Sequence, residues 1–204
     1  VYIPDAFRQD DPAQVRRLMD EFPFSTLITV ADDAPTASHV PLMFDPGRGP
    51  RGSLWGHLAR NNPQTQALRD GAAAMAIFHG PHAYVSPVWY ATTPSVPTWN
   101  YAAVHVYGRL RRLDGRDEIR EVLAKLTARF EGDDGWRLDR VPGSTADAMI
   151  GAVVAFEIVV ERVEGKWKMG QNRVRADREG AIAGLRATGR SAERETADWM
   201  EAQL

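Results

Sequence analysis

From Phe24 to Gly165 the chain returns again and again to short runs of branched and aromatic residues: FSTLITV, HVPLMF, SLWGH, AAAMAIF, YAAVHVYGRLRRL and AVVAFEIVVERVEG. Such residues suit a half-buried pleated surface, and turn-forming clusters separate the runs. GRGPRG, from Gly47 to Gly52, reads as a hairpin turn, because it lacks the strand, helix and glycine spacing of a phosphate-cradling loop. One amphipathic helix is expected among the runs, opening at Asp117 and repeating Ile119, Val122, Leu123, Leu126 and Phe130 at the helical period. A doubly wound parallel sheet needs a helical crossover for nearly every strand. The pattern therefore predicts a mainly β chain with α additions, its strands antiparallel and closed into a barrel.

Helices are expected at the edges of that barrel. Asp11-Pro12-Ala13-Gln14 has a cap, a first-turn proline and a capping-box-like spacing, and Val15, Leu18, Met19 and Phe22 then share a face until Pro23 ends the helix. A short helix is predicted over Ala59–Leu68. DREGAIAGL and SAERETADWM read as two terminal helices, the second capped by Ser191. Residues 1–176 are thus expected to form the barrel domain, and 177–204 a helical extension packed on it or on a dimer. A chain of 204 residues buries about 70% of its unfolded surface, so it needs no covalent staples. It has no cysteine, which excludes disulfides, Cys-type zinc sites and thiol chemistry and fits a reducing cytoplasm. VYIPDAFRQDDP has neither the basic start nor the apolar core of a signal peptide, and GAVVAFEIVV is far short of the roughly 20 residues that span a bilayer. The expectation is a soluble cytoplasmic protein with no membrane partner. A net charge of -2 gives no global attraction to nucleic acid.

Chemistry concentrates around HGPHAYVSPVWY, His79 to Tyr90. Phe78 to Tyr107 holds seven of the eighteen aromatics and three of the five histidines. Tyr84, Trp89, Tyr90 and Trp99 read as lying among turn residues, near Ser86, Thr98 and Asn100. That composition fits either a pocket for a flat ligand or an aromatic core with its polar atoms satisfied. The histidines, 39, 57, 79, 82 and 105, form no metal-ligand spacing. GHLARNNPQ delivers His57 from a strand and then places Arg60, Asn61 and Asn62 in the expected first helical turn. It reads either as a phosphate seat or as an ordinary strand-to-helix corner. Arg162 to Arg175 carries five basic residues against Glu164, which fits a solvated hairpin or a second seat for an anion. On a strand Lys166 and Lys168 share a face and Trp167 takes the other. No Ser-His-Asp order, Walker sequence or glycine-rich dinucleotide loop is present.

VYIPDAF, PFSTLIT, SHVPLMFD, GSLWGHLARNNPQ, AIFHGPHAYVSPVWY, VPTWNYAAVHVYGRLR, AFEIVVERVEGKWKMGQN and DREGAIAGL occur in this order between Val1 and about Leu185. In that order the blocks resemble the PaiB-like, FMN-binding negative transcriptional regulator family. The resemblance implies a split β-barrel related to the pyridoxamine-phosphate-oxidase and flavin-reductase superfamily, dimeric, with FMN near the subunit interface. It implies phosphate-side roles for His57, Ala59, Arg60 and Asn61 and a flavin wall that includes Tyr84, Ser86 and Trp89. Lys166, Lys168, Gln171 and Asn172 match a later block and are expected at cofactor or interface contacts. It also implies a role in transcriptional repression, including protease and sporulation genes. Other readings are a small flavin-dependent oxidoreductase using His82, Tyr84 or His105, a direct DNA-binding repressor, and a haem-binding barrel with one axial histidine. Two departures stand out. Gly170 replaces a serine common in the family block, and ATTPS, residues 91–95, is shorter than the usual lysine-bearing connection.

Overall fold

The computed structural model describes residues 1–132 and 135–204. In chain order the strands and helices are β1 (Arg8–Gln9), α1 (Pro12–Glu21), β2 (Phe24–Ala31), β3 (Ala34–Pro41), β4 (Met43–Asp45), β5 (Ser53–Ala59), β6 (Ala73–Val85), β7 (Thr98–Leu113), α2 (Arg116–Phe130), α3 (Gly143–Gly151), β8 (Val153–Lys168), α4 (Arg175–Ala187) and α5 (Ser191–Glu201). Hydrogen-bonded neighbours run β3-β2-β6-β7-β8-β5-β4, with β1 added on β8. The registers of β2 with β3 and β6, β4 with β5, and β8 with β5 and β1 are antiparallel. Contacts divide the chain into two compact units, one of Val1–Leu18, His79–Val104 and Glu164–Leu204, the other of Met19–Phe78 and His105–Val163. The long strands β6, β7 and β8 contribute residues to both.

In the unit built on Met19–Phe78 and His105–Val163, β2 and β3 meet at Asp32 and Asp33, whose φ values of 51 and 58° give the left-handed turn that matches strand twist. Ser25, Leu27 and Thr29 of β2 point inward at period two. The α2 stripe behaves as its spacing predicts: Ile119, Val122 and Leu126 pack with Trp55, Leu113, Ile150 and Ala155. Phe130, expected in that stripe, is exposed at the helix end. Helix α3 was not legible, because GSTADAMIG buries only Ala146 and Ile150 and opens on Gly143 with no side-chain cap. The helix expected over Ala59–Leu68 contracts to one 3-10 turn at Pro63–Ala67, capped when Asn62 Oδ1 accepts from Gln64 N at 2.9 Å. Leu58 and Ala59 stay on β5 through pairing with Val154 and Val153, so Arg60 and Asn61 fall before the turn rather than inside a helix.

Charge is also buried in this unit. The Glu157 side chain is 3% exposed and accepts from Arg48 Nε and Arg111 Nε, each at 2.7 Å, while Arg111 Nη1 reaches Glu118 at 3.0 Å. Trp55, 2% exposed, has Arg48 Cζ and Lys125 Nζ 4.7 and 4.2 Å from its ring centroid.

In the other unit β1 pairs with β8 through Arg8↔Lys166 and Gln9↔Gly165. Asp11 caps α1 as expected, with Ala13 N donating to Oδ1 at 2.9 Å. The reciprocal contact comes from Gln9, not Gln14: Gln9 Oε1 accepts from Asp11 N at 3.0 Å. The aromatic segment does not interrupt β6, which continues through Gly80 and Pro81 to Val85. Gly80 is needed because a Cβ there would lie 2.9 Å from Leu18 Cδ1 and 3.2 Å from Ala102. Pro81 lies beyond Ile77, where the β2 register on this strand ends, so its missing N–H breaks no bond to β2. Ser191 is the first residue of α5 rather than its cap; Arg190 holds that position without a side-chain bond. No described helix is long and apolar enough to cross a membrane.

Candidate functional site

Period-two alternation along β6 turns Ala83 and Val85 inward and leaves His82 and Tyr84 exposed. Trp99, on β7 rather than in a turn, meets them from the next strand. Its ring centroid is 6.3 Å from Tyr84, edge-on, and 6.3 Å from His82, tilted. Tyr84 and Trp99 remain 44 and 56% exposed, an unusual state for large rings already in mutual contact. Lys168, at the end of β8, donates to Thr98 Oγ1 and to the Trp99 carbonyl. Burial first, then the charges of Lys166 and Arg173, hold its ammonium below the usual lysine range. The result is an exposed aromatic face with one cation at its edge.

The remaining predicted residues of this unit, Asn172 apart, have structural duties. Lys166 is buried, donates to the Tyr2 carbonyl at 2.9 Å and lies 5.1 Å from the Tyr101 ring centroid, so it does not share the exposure of Lys168. Gln171 closes the turn after β8, accepting from Met169 N and donating to Trp167 O, both at 2.8 Å. Asn172 is exposed. Ser86 caps the 3-10 turn Pro87–Trp89. Trp89 leans on the glycines of α4: a Cβ on Gly184 would collide with its indole and one on Gly180 with its carbonyl. Gly170 has a φ of +85°, a left-handed conformation in which serine would be strained by about 1–2 kcal/mol. The glycine that departs from the family block is therefore required by this backbone.

The short connection 91–95 is tied down. Thr92 donates to the buried Asp177 from its N at 2.9 Å and from its hydroxyl at 2.7 Å, while Arg173 Nη1 reaches Ser95 Oγ and Asp177 Oδ2, each at 3.3 Å. Hydrogen bonds from Thr92, then the Arg173 guanidinium, outweigh burial and keep the Asp177 carboxyl below the usual range. The Arg173 guanidinium also covers the Tyr90 ring at 3.8 Å. The spacing Arg173–Asp177 is the i, i+4 signal that would have revealed this clamp.

The second group of predicted residues lies in the other unit. His57 is partly buried on β5, its Nδ1 is enclosed without a hydrogen bond among the described residues, and burial lowers its pKa, favouring neutral imidazole. Ala59, Arg60 and Asn61 are exposed beyond it. Arg60 Nη2 donates to Val153 O at 2.8 Å and Nε to Gly151 O, covering carbonyls at the end of α3. The guanidinium is thus positioned by backbone, with Nη1 outside these two bonds. No described group of three or more His, Cys, Asp or Glu forms a metal site.

This arrangement of strands and helices is that of a split β-barrel. The structure of the FAD and heme binding protein from Mycobacterium smegmatis shares it with a TM-score of 0.59 at 23% identity, over 87% of this chain and 80% of that one. Flavocytochrome Anf3 from Azotobacter vinelandii shares it with a TM-score of 0.62 at 14% identity, over 79 and 69%. The chain belongs to the PaiB-like FMN_bind_2 family, "Putative FMN-binding domain", whose model matches residues 1–162. It is 31% identical over 206 residues to "Protease synthase and sporulation protein PAI 2" of Bacillus subtilis (strain 168), covering 100% of this chain and 98% of that protein. It is also 31% identical over 193 residues to the uncharacterized protein AN0679 of Emericella nidulans, covering 76 and 77%.

Proposed function

We propose that the flavin held by this chain is FMN, that the chain works as a cytoplasmic homodimer, and that it serves gene regulation as a PaiB-like protein. The observation that carries the flavin reading is the exposed Tyr84–Trp99–His82 face with Lys168 at its edge, on a chain matched by an FMN-binding family model. The donor chemistry fits: flat rings suit an isoalloxazine, and a cation beside them suits its electron-rich edge. A bound flavin supplies electron or hydride transfer. Tyr84, Ser86 and Trp89 are the proposed ring-side residues, to which the geometry adds Trp99. Lys166, Lys168, Gln171 and Asn172 support that side, Lys166 and Gln171 by fixing backbone. His57, Ala59, Arg60 and Asn61 are the proposed phosphate-side residues; the exposed Arg60, with Nη1 outside its two backbone bonds, supplies hydrogen-bonding capacity there.

A regulatory role through a bound ligand or partner is favoured over direct DNA contact, because the arginines in and beside the terminal helices, Arg194 apart, are engaged locally. Arg175 meets Glu179, Arg186 meets Asp198 and Glu201, and Arg190 meets Glu193. Titration of purified protein with FMN is expected to give a saturable change in flavin absorbance and fluorescence; none from a folded sample would end the proposal. Arg60→Ala should weaken FMN about tenfold more than riboflavin, since a guanidinium–phosphate bond is absent from the latter. Equal losses for both ligands would remove the phosphate role. Light scattering on the eluted protein tests the dimer.

A further inference from the structure

Helices α1 and α5 line a cavity of about 470 Å³ whose side chains the flavin reading does not use. Trp167 forms its floor and Trp199 one wall, their ring centroids 5.9 Å apart. Arg17 of α1 brings its guanidinium 5.4 Å from the Trp199 centroid, so this indole already serves as a cation-binding face. Glu195 and Asp198, three residues apart on one face of α5, add two carboxylates. Asp198 is shared with Arg186 at 2.7 Å, whereas Glu195 makes no hydrogen bond or ion pair with the described residues. Two helices meeting in a core ordinarily do so through apolar side chains. Here α1 contributes Gln14 and Arg17, and α5 sets Glu195 and Asp198 beside Trp199 and Ala202, the lining of a site open to a polar ligand.

We propose that this cavity binds a small organic cation, a protonated amine carried on a flat or apolar body. Arg186 already balances Asp198, so the charge left uncommitted on the lining of α5 is the Glu195 carboxylate, which disfavours an anion. The indoles accept an apolar body and attract positive charge, and Glu195 supplies an uncommitted counter-charge. A neutral aromatic would leave that carboxylate unused.

Calorimetric titration of the full chain with phenethylamine, 2-phenylethanol and phenylacetate tests the charge requirement directly. Saturable binding is expected for phenethylamine, with the alcohol and the acid at least about tenfold weaker. Glu195→Gln, an exposed change that leaves helix and packing intact, should weaken phenethylamine about tenfold without altering the FMN titration. Trp199→Leu, checked for folding by circular dichroism, should weaken it as well. No saturable binding of phenethylamine, equal binding of all three probes, or unchanged affinity in Glu195→Gln would overturn the proposal. The probes are measured without flavin, so the result does not depend on whether FMN binds.

Discussion

Glu157→Ala is expected to lower folding stability by about 3 kcal/mol, seen as an earlier midpoint in urea with an unchanged slope. The carboxylate is 3% exposed and holds two guanidinium groups at 2.7 Å, so its removal strips Arg48 of its carboxylate partner and leaves Arg111 with the more exposed Glu118 alone. Breaking a fully buried pair costs about 3–5 kcal/mol. The lower figure applies because Arg48 and Arg111 are 39 and 36% exposed and regain water. Trp55 would lose part of its support too, since Arg48 also covers its ring. Burial alone would raise the Glu157 pKa, but the Ser53 hydroxyl and the Arg111 and Arg48 guanidinium groups outweigh it and bring the value below the ordinary 4.5. A depressed folded-state pKa means this contribution is complete above about pH 4.5, the unfolded value, and is lost as pH falls through the folded value. The wild-type and Glu157→Ala stabilities should therefore converge on acidification below that point. A difference that persists unchanged at pH 3 would show that packing, not charge, is what the alanine removes.

Gly184→Val is expected to cost about 2 kcal/mol, measured as a fall in thermal midpoint. A side chain in place of a mid-helix glycine gains up to about 1 kcal/mol of helix propensity, less for a branched residue. Against this, the new Cβ would enter the Trp89 indole, and overpacking costs about 1–3 kcal/mol. The clash wins because a rigid ring beside the 3-10 turn has no flexible end to swing away. Gly151→Ala is the matched control: a Cβ there meets nothing within 4 Å, so no loss is expected. Since Trp89 is a proposed ring-side residue, Gly184→Val should also weaken FMN. Lost stability with unchanged FMN affinity would assign Trp89 to α4 packing alone.

The strand pattern was legible because period-two burial writes itself into composition, as in FSTLITV, and the α2 stripe because Ile119, Val122 and Leu126 recur at the helical period. Two glycine and proline signals misled. The aromatics after Gly80 and Pro81 read as lying among turn residues, yet β6 runs through both: a close approach to Leu18 and Ala102 needs the first, and the second lies past the β2 register. Pro63 read as part of a longer helix, but pairing of β5 with β8 keeps Leu58 and Ala59 extended and leaves room for a single turn. Of the site, the clustering of rings was visible in HGPHAYVSPVWY and VPTWNY. Which rings face outward was not, since that depends on strand register: Tyr84 and Trp99 are exposed together, whereas Trp89 turns to α4. Neither the shared edge of Lys168 and Trp99 nor the burial of Lys166 follows from a run of basic residues.

The passage of β6, β7 and β8 through both compact units has a consequence for how this protein can be divided. Each unit is assembled from separated stretches of chain, so no single cut releases either one whole. The family match itself ends at residue 162, inside β8. A fragment trimmed to that boundary would lose the β1 pairing at Gly165 and Lys166, Trp167 and Lys168 of that strand, and both terminal helices. For this architecture a unit of recognition in sequence is therefore not a unit that can be transplanted, and the proposed flavin-side residues of β8 and the turn after it are lost with such a cut.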